Sequence, residues 1–307
     1  MGHDHQHHHH HHHAHAEPAA YNIPFAIATL VNLAFVIAEV FYALMANSMS
    51  LLADAGHNLG DVMGLALSWA ANWLMTRPAT ERYSYGYKKT SILAAFINAV
   101  LLIMTTALII REAIEKLIYP GNVSEMTVIV VALVGIVING GTALLFMRGQ
   151  AGDLNIRSAF IHLAGDALIS LGVAVGGVVI LYTGWLRLDP ILGLLLAATI
   201  IYTSWELFRN TVLMVLDAVP HSIDQDAVRD YLLQVPGVTN LHDLHIWGLS
   251  TRETAMTGHL IVGEAGLTDA QIHQIHEDLH ERFKIDHATL QIERGDTDYP
   301  CERLETC

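Results

Sequence analysis

Cysteine is nearly missing from this chain. Its 307 residues hold two, Cys301 and Cys307, both at the far C-terminal end. Two cysteines build no disulfide framework, which excludes a stapled secreted scaffold and points to a reducing compartment for that end. Charge is scarce too. Asp, Glu, Lys and Arg make up 15% of the residues against 52% hydrophobic ones. Soluble domains carry about 25% charged residues, so a large part of this chain is expected in lipid. Positive charge is scarcer still, with 16 Lys and Arg against 30 Asp and Glu and a net charge of −14. That argues against nucleic acid as a partner, because phosphate binding needs clustered cations. No H-E-x-x-H motif occurs within the apolar segments; the one match, His276 to His280, lies beyond them in the soluble part, and an enzyme is not expected.

Histidine is the exception, with 20 copies. Their placement depends on six apolar segments: Ile23–Ala46, interrupted only by Glu39; Met49–Met75; Ile92–Ile110; Met126–Met147; Ser158–Leu186; and Pro190–Trp205, which resumes after Arg209 and reaches Leu216. Each is near the roughly 20 residues that span a bilayer as a helix. The first is too long for a cleavable signal peptide, and its flank is histidine-rich rather than basic. In the short loops, Arg77, Arg82, Lys88, Lys89, Arg148, Arg157 and Arg209 fall on one side. Arg111, Lys116 and Arg187 fall on the other. The more basic side is cytoplasmic, which puts both termini in the cytoplasm.

Beyond Pro220 the composition turns soluble. "IDQDAVRDYLLQV" predicts an amphipathic helix closed by Pro236-Gly237. "VTNLHDLHIWGLS" and "TAMTGHLIV" predict strands around a polar turn at Arg252-Glu253. "LTDAQIHQIHEDLHERF" predicts a helix opened by a Thr268/Gln271 capping box, and "HATLQIE" a closing strand. The α-β-β-α-β order predicts a small cytoplasmic α+β domain. The chain thus reads as an α-helical polytopic membrane protein. A histidine-rich tail (1–20) precedes a six-helix transmembrane domain (21–217); a cytoplasmic metal-binding and dimerisation domain (218–295) and a cysteine-containing tail (296–307) follow.

A weak repeat lies within the membrane segments. "HNLGD" at 57–61 is echoed by "HLAGD" at 162–166. Residues four apart share a helix face, so His57 points with Asp61 and His162 with Asp166. If the two helices face each other, two imidazoles and two carboxylates converge in a set suited to zinc. Two carboxylates also neutralise a divalent ion, so the loaded group carries no net charge where charge is costly. The plainer alternative is that the four side chains only pair with one another between helices. Ionisable groups inside a membrane are, however, usually functional. Asp54, three residues before His57, is either an acceptor behind the ligands or an entry group.

These stretches resemble a known family. The runs "SMSLLADAGHNLGDVMGLALSW", "RYSYGYKKTSILAAFIN" and "NIRSAFIHLAGDALISLGV", with "LDP" before the last span, are similar to the cation diffusion facilitators, in particular to their bacterial zinc-efflux branch. The resemblance runs from about residue 22 to 293. It implies a homodimer of six-span subunits, each with a ferredoxin-like, metallochaperone-like cytoplasmic domain, exchanging divalent metal for protons. It implies that His57, Asp61, His162 and Asp166 form the transport site, and that a histidine at the first of these positions favours zinc. Some members carry metal ligands in the loop between the second and third spans. Here that loop, "RPATERYSYGYKK", has no histidine, and no loop site is expected. The resemblance also places His242 and His259 on adjacent strands at a zinc site of the dimer interface, completed by Glu293 or His287, with His245 less certain. Surface histidines in solvent are the alternative reading. Lys89 and Asp217 stand where family members interlock near the dimer interface.

His273, His276 and His280 share one face of a helix and read as solvated. Cys301 and Cys307 are spaced more widely than a zinc knuckle. The tract "GHDHQHHHHHHHAHA" has a metal-binding composition. Histidines alternate with other residues on both sides of its run, which favours a native collector of zinc over an expression tag. The expected function is a Zn2+/proton antiporter of the cytoplasmic membrane that exports zinc and takes Cd2+ as a second candidate cargo. A membrane zinc sensor that moves nothing and an intramembrane zinc enzyme are the rival readings.

Overall fold

In the computed structural model, which describes residues 22–147 and 154–294, six helices come first: α1 (Asn22–Ala46), α2 (Met49–Met75), α3 (Thr90–Ile118), α4 (Glu125–Phe146), α5 (Leu154–Thr183) and α6 (Leu188–Val215). The histidine-rich tract, Arg148, Cys301 and Cys307 lie outside the described residues.

The turn from α1 to α2 uses Asn47 at φ 53°, a left-handed conformation that Asn tolerates. Ser48 then caps α2, its side chain accepting from the Leu51 amide. Asp189, in the first turn of α6, adds a second cap from outside. Its carboxylate accepts from the Met49 amide (2.5 Å), the Ser50 amide (3.2 Å), the Ser48 hydroxyl (2.5 Å) and the Ser50 hydroxyl (2.6 Å). A carboxylate is favoured there by both the free amides and the helix dipole. This is what the "LDP" stretch does: it pins α2 to α6. Gly193, one turn on, allows the approach, since a Cβ there would lie 2.9 Å from the Met49 backbone.

α3, α4, α6 and the Phe160–Thr183 part of α5 have the length and hydropathy to cross a membrane, and α1 adds the apolar stretch Leu30–Ala46. α2 falls short of that hydropathy because Asp54, His57, Asn58 and Asp61 interrupt it. It is nevertheless central to the bundle, packed against α1, α3, α5 and α6. Its polar groups therefore face protein, as intramembrane polar groups must. α3 extends two turns past the predicted Ile110, where Arg111, Glu112, Glu115 and Lys116 continue the helix beyond the apolar run.

The remaining elements are α7 (Gln225–Leu233), β1 (Val238–Gly248), β2 (Thr254–Val262), α8 (Asp269–Phe283) and β3 (His287–Glu293), in the predicted α-β-β-α-β order. Asp224 caps α7, and the Thr268/Gln271 capping box opens α8. The sheet runs β1-β2-β3. β1 and β2 are antiparallel, while β2 and β3 are parallel and need the crossover that α8 supplies. Val228 and Leu232 of α7 and Ile275 and Leu279 of α8 bury themselves with Leu260 of β2.

Polar contacts join this unit to the bundle. The Ser91 hydroxyl accepts from the Thr251 amide at 3.1 Å. Lys88 donates to Glu253 and lies 3.1 Å from His287 Nε2. Lys89 meets Asp217 at 2.6 Å, so the expected interlock pair is in contact.

Candidate metal sites

Helical spacing puts His57 and Asp61 on one face of α2, and His162 and Asp166 on one face of α5. The structure brings all four together. His57 Nε2 lies 3.6 Å from Asp61 and 3.4 Å from Asp166; His162 Nε2 lies 3.4 Å from Asp61 and 3.6 Å from Asp166. Each imidazole thus sits between the two carboxylates, and the rings are 6.0 Å apart, edge to face. The ligand atoms of His57, Asp61 and His162 all lie within 4.8 Å of one another. Asp61 Oδ2 is buried with no hydrogen-bond donor. An orphaned carboxylate oxygen of this kind is costly unless a cation or proton meets it.

Exposure within the group is graded. Side-chain exposure is 6% for Asp166 and 24% for His57, but 33% for Asp61 and 46% for His162. The two open members are those toward the C-terminus of α2 and the N-terminus of α5. Access is therefore from that end of the bundle.

A polar layer that spacing alone does not reveal lies behind the group. Asp54 is fully buried and accepts from the Ser170 hydroxyl at 2.9 Å. Asn58 donates to Glu39 of α1 at 3.1 Å. Its sequence signal was the lone acid in the first apolar segment.

A second group forms on the sheet. His242 and His259 are direct partners across β1 and β2, with rings 4.9 Å apart. Glu293, at the end of β3, bridges them: Oε2 is 3.1 Å from His242 Nε2 and Oε1 is 2.8 Å from His259 Nδ1. Burial pulls the Glu293 carboxyl upward, but the bond from His242, helped by Gln291 and the histidine charges, leaves it below the ordinary glutamate value. Asp243 joins at 3.6 Å from the other nitrogen of His259. Spacing gave no hint of it, because Asp243 sits at φ 54° in an irregularity between His242 and His245. The extra residue returns His245 to the face of His242, where it meets Asp243 at 3.2 Å and remains exposed.

His287 is not part of this group, which corrects the expectation for it. It opens β3 opposite Ala255, whereas Glu293 closes β3 opposite Ile261. The length of the strand separates them, and His287 lies instead against Lys88, Glu253 and Tyr85. His273 and His280 are solvent-exposed, facing Glu277 and Asp286.

A helical bundle with His/Asp donors between two central helices, joined to a small α+β unit, defines a multi-pass membrane protein that handles cations. The chain belongs to the cation efflux family. Residues 25–216 match the cation efflux transmembrane domain and residues 220–295 the cytoplasmic domain of cation efflux proteins. It is 32% identical over 290 residues to the metal cation efflux system protein CzcD of Cupriavidus metallidurans, covering 94% of this chain and 90% of that one. It is 34% identical over 265 residues to the zinc transporter ZitB of Escherichia coli, covering 86% and 84%. A Bacillus subtilis relative named a cadmium, cobalt and zinc/H(+)-K(+) antiporter is 30% identical over 264 residues, covering 84% and 85%. The solved metal-bound C-terminal domain of the C. metallidurans CzcD transporter matches at 32% identity with a TM-score of 0.22, covering 23% of this chain and 99% of that one. The family comprises cation efflux transporters, not enzymes.

Proposed function

We propose that this protein is a zinc/proton antiporter that exports Zn2+ from the cytoplasm through His57, Asp61, His162 and Asp166. One observation carries the reading: two imidazoles and two carboxylates from α2 and α5 alternate within 3.4–3.6 Å of one another. This donor set suits a tetrahedral, borderline-soft ion, and its two negative charges neutralise Zn2+. When zinc leaves, protons on the imidazoles restore neutrality, because metal binding and protonation compete for the same nitrogen. The names of the ZitB and antiporter relatives agree with this cargo and counter-ion.

The more basic loops favour the cytoplasmic side of the inner membrane for the C-terminal end of α2 and for both termini. The exposed members Asp61 and His162 then open toward the cytoplasm, as a loading state requires. The chain works as a homodimer. His242, His259 and Glu293, joined by Asp243, fit a second zinc in the cytoplasmic domain, where it regulates rather than travels.

The test is zinc flux into proteoliposomes under a pH gradient. Asp61→Ala or Asp166→Ala should lower flux by at least about 100-fold, since each removes a ligand and a charge. Wild-type flux in either variant defeats the site. No flux in the wild type would leave a zinc sensor as the better account.

A further inference from the structure

Glu39 is the one charged residue of α1, and the four-residue group does not use it. It is 0% exposed, as is Asp54. Asn58 donates to Glu39 Oε2 at 3.1 Å, while Glu39 Oε1 meets no donor. The same Asn58 amide nitrogen lies 3.5 Å from Asp54 Oδ1, so the carboxyl groups of Glu39 and Asp54 flank one donor and stand side by side. Two carboxyl groups bond each other only with a proton between them, and two ionised ones at that separation in a dry site repel strongly.

Among the described residues no Lys or Arg acts on the pair. The ionisable groups that face it are His57 of α2 and Asp166 of α5. α4 carries only Glu125, in its first turn. Lys116 of α3 is held by Asn47, and Asp189 of α6 by the start of α2. Glu39 also borders an open groove of about 380 Å3 between α1 and α4, lined mostly by apolar side chains such as Phe35, Val130 and Val134, with Tyr42 and Thr127 as its other polar members. That groove lies toward the N-terminal ends of α2 and α4, opposite the open side of the four-residue group.

We propose that Glu39 and Asp54 share one proton and relay protons between this groove and the four-residue group. This rests on the zinc/proton reading above. As zinc leaves, the shared proton passes through Asp54 to an imidazole of the emptied group, and Glu39 takes another from water in the groove. One proton enters, one is delivered, and the pair ends as it began.

The test uses the full chain. In proteoliposomes carrying zinc and pH reporters, Glu39→Gln and Asp54→Asn should each cut zinc-linked proton movement roughly tenfold or more. Zinc binding to detergent-solubilised Glu39→Gln should stay within about threefold of wild type, because the hydrogen bonds of Glu39 go to Asn58 and Asp54 and to none of the four ligands. Infrared spectra of the metal-free protein at neutral pH should show a protonated-carboxyl stretch that is lost in Glu39→Gln. Three results would overturn the relay: no such band in the wild type, a band retained in both variants, or a wild-type ratio of protons to zinc in both. If the wild type itself moves no protons with zinc, the antiport reading fails instead, and the spectrum still decides whether the pair shares a proton.

Discussion

Replacing His57 by Asp keeps a donor at the same helical position and adds a negative charge. The zinc-loaded group would then carry one excess charge in lipid, and a proton would tend to remain with it. Carboxylates also favour harder ions such as manganese. His57→Asp should therefore still move zinc but discriminate roughly tenfold less against manganese, about 1.4 kcal/mol. Competitive flux of the two metals in proteoliposomes measures this. An unchanged ratio would shift the selecting role to Asp54 or Asn58. At this scale the sequence was informative where helical geometry is rigid: His57 with Asp61 and His162 with Asp166 follow from a spacing of four. It was uninformative where contacts cross between elements. Nothing near Glu39 announces Asn58 as its partner, and Asp243 reaches His259 only because a left-handed residue kinks β1.

Between elements, the most consequential joint is Asp189 on the start of α2. It takes four hydrogen bonds with no exposure to solvent. Asp189→Ala leaves two helix amides and two hydroxyls without their acceptor, at a cost on the order of 2–4 kcal/mol. Thermal unfolding in detergent should register that loss, and flux should fall because α2 carries two of the four ligands. In the α+β unit, the Tyr231 hydroxyl donates to Asp278 at 2.7 Å and ties α7 to α8. That bond, with Gln274 and the Arg282 charge, holds the Asp278 carboxyl below its usual range. A depressed acid contributes stability above its unfolded pKa, near 3.9, and loses it as pH falls through the folded value. The stability advantage of wild type over Asp278→Asn should thus be constant above about pH 5 and vanish on acidification below about pH 4. A constant difference down the acid limb would contradict this. Hydropathy made most helices legible. It found α2 at its full length, Met49–Met75, in spite of its polar face, but it stopped α3 too early, because a helix continues in water once its apolar run has ended.

Across the whole molecule, two donor groups lie at opposite ends of a connected path. One is between α2 and α5. The other is at the far end of the sheet, on Glu293, while the near end of the same strand holds His287 against Lys88 of the bundle. His242, His259 and Glu293 are already close enough to share an ion, so binding should need little rearrangement and should stabilise the folded chain by mass action. At 100 times the dissociation constant this amounts to about 2.7 kcal/mol. The thermal midpoint of the full chain should therefore rise with zinc and saturate, and the rise should weaken below about pH 6 as the imidazoles take up protons. Asp61→Ala breaks the proposed transport group but should keep that part of the rise that belongs to the sheet. His242→Ala should lose that part while still moving zinc, since it leaves the membrane ligands untouched. The two variants separate the proposed cargo group from the proposed regulatory one within one chain. A zinc-induced shift that survives His242→Ala in full but disappears in Asp61→Ala would mean that all of the stabilisation comes from the bundle and that the sheet group binds no zinc.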